Sequence, residues 1–327
     1  MYIIKIFLIC LFTSIVTSIA KADDMSAKAT QELIIENPMK NFGTIASNVL
    51  FYYSDLENAT KFYNKILGLR IVADYEFAKI MQVSPKSFIT LVDANKGMHT
   101  ADEPKTTAVA LITDQLDEWW DYINTQDVVL RSNSYSPVEG RPHDAFVIID
   151  PEGYFLEFER FNVHEENKLL IPILNKTTTL YPEAEKTNVP PGLGFKATVV
   201  WFYYKNIGRI QKFYENVIGL DLLVDQGPVK IYQVGPSGYL GLVDEQHGMH
   251  NFTEKKAVTI SFITTEIDKW YTHLSNQNDI RMRSKKIEIE ENYQTFIAYD
   301  PGGYYLKWSV FNNVPDNIKL LNIIESY

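Results

Sequence analysis

The spacing of apolar residues predicts an order of elements that recurs along the chain. Residues 44–53 are rich in apolar and aromatic types, which is typical of a strand. Ser54 or Asp55 then caps a helix that ends at Gly68. The apolar face of this helix is formed by Ala59, Phe62, Tyr63 and Ile66. Further strands are predicted at about 69–75, 77–83 and 87–93, so the order is βαβββ.

After a loop at 94–106 the same order begins again. A strand at 107–113 leads to a helix whose apolar face is formed by Leu116, Trp119, Trp120 and Ile123. Three more strands follow, near 128–135, 144–150 and 153–160. Two βαβββ units therefore occupy the first half of the chain.

The second half repeats the first. Phe51-Tyr52-Tyr53 returns as Phe202-Tyr203-Tyr204, and Gly97-Met98-His99 returns as Gly248-Met249-His250, both 151 positions later. Further matches are Lys61-Phe62-Tyr63 with Lys212-Phe213-Tyr214, and Asp150-Pro151 with Asp300-Pro301. A repeat of this length indicates a duplicated domain.

The repeat defines the predicted domain boundaries. The copies span residues 41–162 and 194–312, separated by a tail and linker at 163–193 and followed by a C-terminal tail at 313–327. Lys168-Leu169-Leu170 in the first tail recurs as Lys319-Leu320-Leu321 in the second. Because both tails keep their apolar residues, we expect both to pack against the domains.

The first 22 residues have the pattern of a secretory signal peptide. Lys5 precedes an apolar run from Ile6 to Phe12, and Ala20-Lys21-Ala22 has small residues at the spacing that a signal peptidase reads. The segment is short for a membrane anchor, although an uncleaved anchor is the alternative. We expect a secreted or periplasmic protein that has no membrane attachment after cleavage.

Cysteine content and charge exclude several function classes. Cys10, the only cysteine, lies in this first segment, so the mature chain would have no disulfide, thiolate nucleophile or cysteine metal site. The net charge of −10 becomes −12 once Lys5 and Lys21 are removed. An acidic surface does not attract nucleic acid or anionic lipid, so the expected partner is a small molecule.

Two spaced motifs resemble a known family. Asp55-Leu56, Phe62-Tyr63 and Leu67-Gly68-Leu69 resemble the opening of vicinal oxygen chelate domains, the superfamily of glyoxalase I and extradiol dioxygenases. Asp150-Pro151-Glu152-Gly153-Tyr154 resembles the closing hairpin of those domains. The resemblance implies an α+β fold of two tandem domains. In each, paired βαβββ modules form a cup-shaped mixed sheet with helices on the outer face.

The resemblance also implies where a catalytic metal would bind. Its ligands, usually His and Glu, lie on the first, fifth and eighth strands and sometimes on the fourth. In the first copy these positions fall on Asn48, Ala108, Glu157 and Thr90, and in the second on Val199, Thr259, Lys307 and Gly241. Only Glu157 is a ligand type. We therefore expect no metal cofactor, with a divalent ion as the open alternative.

Strand alternation predicts which side chains face the cups. The candidate ligand-binding residues are Asn48, Tyr52, Trp201, Tyr203, Thr259 and Lys307. The catalytic residues are left open, with Glu157, Glu159, His143, His99 and His250 as candidates. For Glu157 and Glu159 the alternative is a salt bridge or a water-filled cup, and for His99 and His250 it is a hydrogen bond within a loop. Arg131 and Arg283 can clamp a carboxylate at the rim or remain solvated.

Three hypotheses follow. The first is an exported, metal-independent protein that binds a small apolar or aromatic molecule in a cup. The second is an enzyme of the same superfamily, of lyase or dioxygenase type, with a non-standard or metal-free site. The third is a structural or interaction module whose cups are filled. A monomer with internal pseudo-symmetry and a homodimer are both compatible with the duplication.

Overall fold

A computed structural model describes residues 37–183 and 187–326. The predicted signal peptide lies outside this range. Within it, the strands form one nine-stranded and one eight-stranded sheet. The strands of the first copy are β1 Thr44–Tyr53, β2 Arg70–Asp74, β3 Ala78–Ser84, β4 Ser87–Asp93, β5 Thr107–Ile112, β6 Val129–Leu130, β7 His143–Ile149 and β8 Phe155–Phe161. Those of the second copy are β9 Ala197–Tyr204, β10 Asp221–Asp225, β11 Val229–Gly235, β12 Gly238–Asp244, β13 Val258–Thr264, β14 Arg281–Met282, β15 Glu288–Ile289, β16 Tyr293–Tyr299 and β17 Tyr305–Phe311.

Each sheet combines one module from each copy. The nine-stranded sheet has the order β14-β16-β17-β13-β1-β4-β3-β2, with β15 paired to β16, and the eight-stranded sheet has the order β10-β11-β12-β9-β5-β8-β7-β6. The fold class of mixed sheets built from βαβββ modules is confirmed. The expectation that both modules of a cup come from the same copy is corrected, because β1 pairs with β13 and β5 pairs with β9.

Reciprocal hydrogen bonds join the two copies at these junctions. Tyr154 of the first copy accepts from the backbone of Tyr52 (2.8 Å) and donates to the carbonyl of Ala257 in the second copy (2.6 Å). Tyr304 in the second copy donates to the carbonyl of Thr106 in the first (2.8 Å). These hydroxyls are buried, so each bond also satisfies a polar group that would otherwise cost free energy.

Seven α-helices occur within the described residues: Pro38–Asn41, Leu56–Lys65, Leu116–Ile123, Ile171–Leu174, Ile207–Phe213, Ile267–Ser275 and Ile318–Glu325. Asp55 caps the second of these, because its carboxylate accepts from the backbone N–H of Asn58 over 2.9 Å. Gly68 follows with φ +72°, a conformation that favours glycine. None of the helices in the described part has the length and hydropathy needed to cross a bilayer.

The repeated Asp-Pro hairpin has a structural role. Asp150 is buried and accepts from the hydroxyls of Tyr53 (2.6 Å) and Tyr63 (3.1 Å), while its other oxygen accepts from the backbone of Tyr154 (2.9 Å). The second copy builds the same cluster with Asp300, Tyr204, Tyr214 and Tyr304. The motif therefore anchors the last hairpin of each copy to its first strand and first helix.

Both tails pack, as predicted. Leu170 and Leu174 are buried on the eight-stranded sheet, and Leu320 and Ile324 are buried on the nine-stranded sheet. Each tail lies against the outer strand contributed by the other copy, β10 for the first tail and β2 for the second. The strand predicted near 128–135 is reduced to Val129–Leu130, because the Ser- and Pro-containing segment after it does not pair regularly.

Candidate functional site

Each sheet carries one cavity on the face that the predicted metal positions share. We call the cavity of the nine-stranded sheet the lysine cup and that of the eight-stranded sheet the glutamate cup. The lysine cup has a volume of about 220 Å³ and the glutamate cup of about 120 Å³. The lysine cup is lined by Asn48, Leu50, Thr90, Ser261, Tyr293 and Lys307, among others. The glutamate cup is lined by Glu157, Glu159, His143, Trp201, Tyr203 and Met249, among others.

A row of polar side chains crosses the floor of the lysine cup. The strand register places Asn48 of β1 opposite Ser261 of β13, and Ser261 beside Lys307 of β17. Asn48 donates to Thr90 Oγ1 over 2.8 Å, and Thr90 donates back to Asn48 Oδ1 over 3.0 Å. Ser261 lies 3.3 Å from the hydroxyl of Ser309. Every member of the row except Lys307 thus has a side-chain hydrogen-bond partner.

Lys307 is mostly buried and is not neutralised by an ion pair. Its Nζ lies 4.5 Å from the centroid of the Tyr293 ring, a cation–π contact. Within the described part of the chain, no carboxylate forms a salt bridge with it. Burial lowers the pKa of Lys307 to about 8, and the charge of Glu288 acts in the opposite direction. The ammonium is therefore a charge facing a cavity without a bonded counter-ion.

The predicted residues of the lysine cup divide into lining and support. Asn48, Tyr52 and Lys307 line the cavity. Thr259 lies beneath it, where its hydroxyl is 2.8 Å from the hydroxyl of Tyr52. At the rim, Arg283 is exposed and stands over the Tyr305 ring, 5.5 Å from its centroid. Arg283 thus reaches the cavity, as the rim hypothesis requires.

Three titratable side chains, Glu157, Glu159 and His143, line the glutamate cup. His143 Nδ1 lies 2.9 Å from a carboxylate oxygen of Glu159, which is fully buried. Its hydrogen bond and charge interaction with Glu159 raise the pKa of His143 to about 9. Burial, followed by the charge of Glu159, raises the pKa of Glu157 to about 8. The contact with Glu159 thus favours the protonated form of His143, and burial favours the protonated form of Glu157.

A tryptophan fills much of the glutamate cup. A Cβ placed on Gly241 would lie 1.9 Å from the ring of Trp201, so the ring is accommodated only because position 241 has no side chain. The equivalent residues of the lysine cup, 151 positions earlier, are Leu50 and Thr90. In the glutamate cup the Trp201 ring therefore occupies the space that Leu50 and Thr90 leave open at the equivalent place in the lysine cup.

The two repeated histidines do not line either cavity. His99 is buried between the rings of Tyr52 and Tyr305, with Nδ1 at 2.7 Å from Glu103. His250 lies between Tyr203 and Phe155. Burial lowers the pKa of His99 and lowers that of His250 to about 4. The loop contact anticipated for these residues is present for His99, and both rings support the cup walls.

The metal positions do not match a metal site. The register places Ala110, not Ala108, opposite Glu157, and places Ser261, not Thr259, beside Lys307. The corrected rows contain Asn48, Ser261 and Lys307 in one cup and Val199, Ala110 and Glu157 in the other. No cluster of three or more His, Cys, Asp or Glu side chains suited to a metal ion occurs within the described ranges. Glu157 is the single ligand-type side chain in these two rows, and one carboxylate does not fit a transition metal.

Strand alternation missed part of the lysine cup wall. Tyr75 and Phe77 line the cavity from the turn between β2 and β3, and Tyr293 lines it from the start of β16. The sequence predicts the first two at the ends of strands 69–75 and 77–83, whereas both lie in the turn between β2 and β3. Tyr293 precedes Thr295 by two residues on the same strand face, and this spacing is the signal that identifies it.

Comparisons with known proteins agree with this architecture. The model of the Glyoxalase/Bleomycin resistance protein/Dioxygenase superfamily matches residues 45–158. A variant of glyoxalase I from Zea mays is similar in structure, with a TM-score of 0.56 and 14% identity over 88% of this chain and 97% of that chain. A protein from Bacillus subtilis named as a candidate dioxygenase has a TM-score of 0.59 and 12% identity over 87% of this chain and 91% of that chain. No curated protein matches the sequence. At these identities the structural likeness establishes the fold alone.

Proposed function

We propose that this chain, whose residues 45–158 match the model of the glyoxalase/bleomycin resistance protein/dioxygenase superfamily, is an exported, metal-independent protein that binds a small molecule. The ligand occupies the lysine cup and has an apolar or aromatic body. The observation that carries this proposal is an open cavity of about 220 Å³ at the family's ligand-binding face, with aromatic walls and a polar floor. Small-molecule sites combine these features.

The composition of the wall supports an aromatic or apolar ligand. Tyr75, Phe77 and Tyr293 contribute ring surface, and Leu50 and Ile80 contribute aliphatic surface. The cavity is smaller than the roughly 300–1,000 Å³ typical of sites for drug-sized molecules. We therefore favour a metabolite of about one ring over a larger ligand.

The proposed location rests on the sequence, metal independence rests on the side chains in the cups, and the oligomeric state rests on the sheet topology. The signal-peptide pattern at 1–22 supports secretion or a periplasmic location. The absence of a fitting ligand set in the described cups supports a metal-independent function. Each sheet is completed by two modules of one chain, which supports a monomer, although a homodimer is compatible.

A ligand screen by thermal unfolding tests the proposal. A molecule that binds the folded state at 100 times its Kd raises the free energy of unfolding by about 2.7 kcal/mol. The matched control is the double variant Leu50→Trp/Thr90→Gly, which copies the Trp201 and Gly241 pair into the lysine cup. We expect aromatic metabolites to stabilise the wild type and not this variant. If no compound in a broad aromatic and apolar panel shifts the melting temperature, the filled-cup scaffold replaces the proposal.

Metal analysis of the purified full-length mature protein tests metal independence. We expect no stoichiometric Fe, Mn, Ni or Zn. A stoichiometric metal that disappears in Glu157→Gln would overturn this part of the proposal, since Glu157 is the single ligand-type residue at the family positions.

A second candidate function is proton-transfer catalysis in the glutamate cup. Glu157, with its pKa raised to about 8, is suited to exchange a proton near neutral pH, and His143 with Glu159 supplies a neighbouring ion pair. This candidate predicts Glu157-dependent exchange of a carbon-bound proton of hydroxyacetone with deuterated solvent, followed by NMR. Exchange at the same rate in Glu157→Gln would exclude it.

A further inference from the structure

We propose that the ligand of the lysine cup is a monoanionic aromatic carboxylate, with the ammonium of Lys307 as its counter-ion at the position where the family holds a metal ligand. This inference rests on the proposed function, because it specifies the charge of the molecule bound in that cup. The observations that carry it are the placement of Lys307, the balance of charges around it and the groups beside it.

Lys307 projects from the eighth-strand position of its cup into the cavity. Placing an ammonium in a mostly buried site has a desolvation cost, which an anionic partner can offset. Within the described residues, no side chain supplies that partner as an ion pair. The nearest compensation is the face of the Tyr293 ring, which is a weaker interaction than a charged hydrogen bond.

The acidic groups near the cup are at its edge and already solvated. Glu288 and Glu290 are exposed, and Glu288 accepts a hydrogen bond from Ser284 over 3.1 Å. Arg283 and Lys96 add two exposed cations to the same lining. The most buried charge that lines the cavity is therefore positive.

Neutral groups beside Lys307 complete an anion-binding floor. Ser261 precedes Lys307 in the polar row, and Ser309 lies two residues further along β17 on the same face. Their hydroxyls contact each other and can each rotate to donate to a carboxylate oxygen. The aromatic body then contacts Tyr293, Tyr75 and Phe77, so one molecule uses both the charged floor and the ring wall.

The equivalent position in the other cup supports the assignment of charge. Glu157 lies 150 positions before Lys307 on the matching strand, and it faces a cavity of about 120 Å³ that Trp201 partly fills. Burial raises the pKa of Glu157 and lowers the pKa of Lys307, so both cups disfavour the charged form of the side chain. Only the lysine cup also has the space for a ring that could bring a counter-ion.

Three fluorinated probes of one shape and different charge test the inference: 4-fluorobenzoate, 4-fluorobenzamide and 4-fluorobenzylamine. Their binding to the full mature chain is followed by fluorine NMR at pH 7. We expect 4-fluorobenzoate to bind at least tenfold more tightly than the amide, and the amine not to bind. Lys307→Met should weaken the carboxylate at least tenfold and leave the amide within threefold, since a charge-assisted hydrogen bond contributes only to the anion.

Two controls separate a lost charge from a damaged fold. Lys307→Arg keeps the cation and should retain most of the preference for the carboxylate, and Lys212→Met removes an exposed lysine on the helix Ile207–Phe213 and should change nothing. Melting curves of each variant report folding independently of binding. Binding of the carboxylate should also weaken above pH 8, as Lys307 loses its proton.

The outcomes distinguish this inference from the proposed function. If the amide binds as tightly as the carboxylate and Lys307→Met changes neither, the anionic ligand is wrong and the binding function stands. If none of the three probes binds and the broad aromatic and apolar panel also fails, both are wrong. If the amine binds best, Glu288 and Glu290 dominate the cup and the charge assignment is reversed.

Discussion

The lysine cup and the glutamate cup have the same arrangement of strands, but their side chains differ in size and are opposite in charge. At equivalent positions the first has Leu50, Thr90 and Lys307, and the second has Trp201, Gly241 and Glu157. Outside the cups the copies agree closely, because each keeps an aspartate bonded to two tyrosines and a hairpin tyrosine bonded to the other copy. The difference shows that the duplicated scaffold tolerates exchange of both size and charge on the face of each sheet that carries the cavity.

The largest expected effect comes from enlarging the side chain that lies against Trp201. Gly241→Thr places side-chain atoms where the Trp201 ring lies, and should destabilise the fold by about 3 kcal/mol through overpacking. The double variant Trp201→Leu/Gly241→Thr reproduces the lysine cup pair and should recover most of this loss. Urea unfolding of the single and double variants measures both. A single variant as stable as the wild type would mean that the ring can move aside without cost.

The pH dependence of stability separates the cups by charge. The folded pKa of Glu157, about 8, lies above its usual value of 4.5, so the folded state holds this proton more tightly and stability falls as pH rises from about 4.5 to 8. His143, raised to about 9 from 6.5, adds a loss between those values. Glu157→Gln should reduce the loss between pH 5 and 8 by at least about 1 kcal/mol. Urea unfolding at several pH values measures it.

Lys307 should contribute a slope of the opposite sign. Its folded pKa, about 8, lies below its usual value of 10.5, so stability rises with pH between those values. Lys307→Met should abolish this rise and leave the slope below pH 8 unchanged. If Glu157→Gln alters the rise above pH 8 instead, the two groups interact across the molecule and the cups are not independent.

Without ligand, the buried ammonium of Lys307 should cost stability. Lys307→Met is expected to stabilise the ligand-free protein at pH 7 by about 1 kcal/mol, because an apolar side chain needs no counter-ion in a mostly buried site. Lys212→Met, at an exposed position, serves as the control and should have no effect within about 0.5 kcal/mol. Destabilisation by Lys307→Met would show that the Tyr293 contact outweighs desolvation.

The smallest expected effect concerns the rims. Arg283 lines the lysine cup, whereas its counterpart Arg131 does not line the glutamate cup and is exposed beside Phe155. Arg283→Gln should weaken 4-fluorobenzoate binding about twofold to fivefold, since a solvated charge contributes little. Arg131→Gln should leave it unchanged. Equal effects of the two variants would mean that the arginines act through net charge and not through the cup.

The sequence predicted the local elements well where the signal was short-range. The strand at 44–53, the Asp55 cap and the turn at Gly68 were all confirmed, because each depends on residues within a few positions of it. Asn48, Tyr52 and Lys307 were predicted to face a cup, and they do. Tyr75 and Phe77 were missed, because the predicted strands at 69–75 and 77–83 included them, whereas in the structure they form the turn between β2 and β3 and do not follow strand alternation.

What the sequence determined by itself is the duplicated βαβββ plan and the packing tails. These depend on periodicity and on equal spacing, which are visible without coordinates. The tertiary structure decided which modules share a sheet and how much of each cup remains open. The edges of β1 and β5 offer similar backbone hydrogen bonds to either partner, so only the full set of long-range contacts selects β13 and β9. Likewise, the space in a cup depends on how Trp201 meets Gly241 across neighbouring strands, a contact that no local pattern encodes.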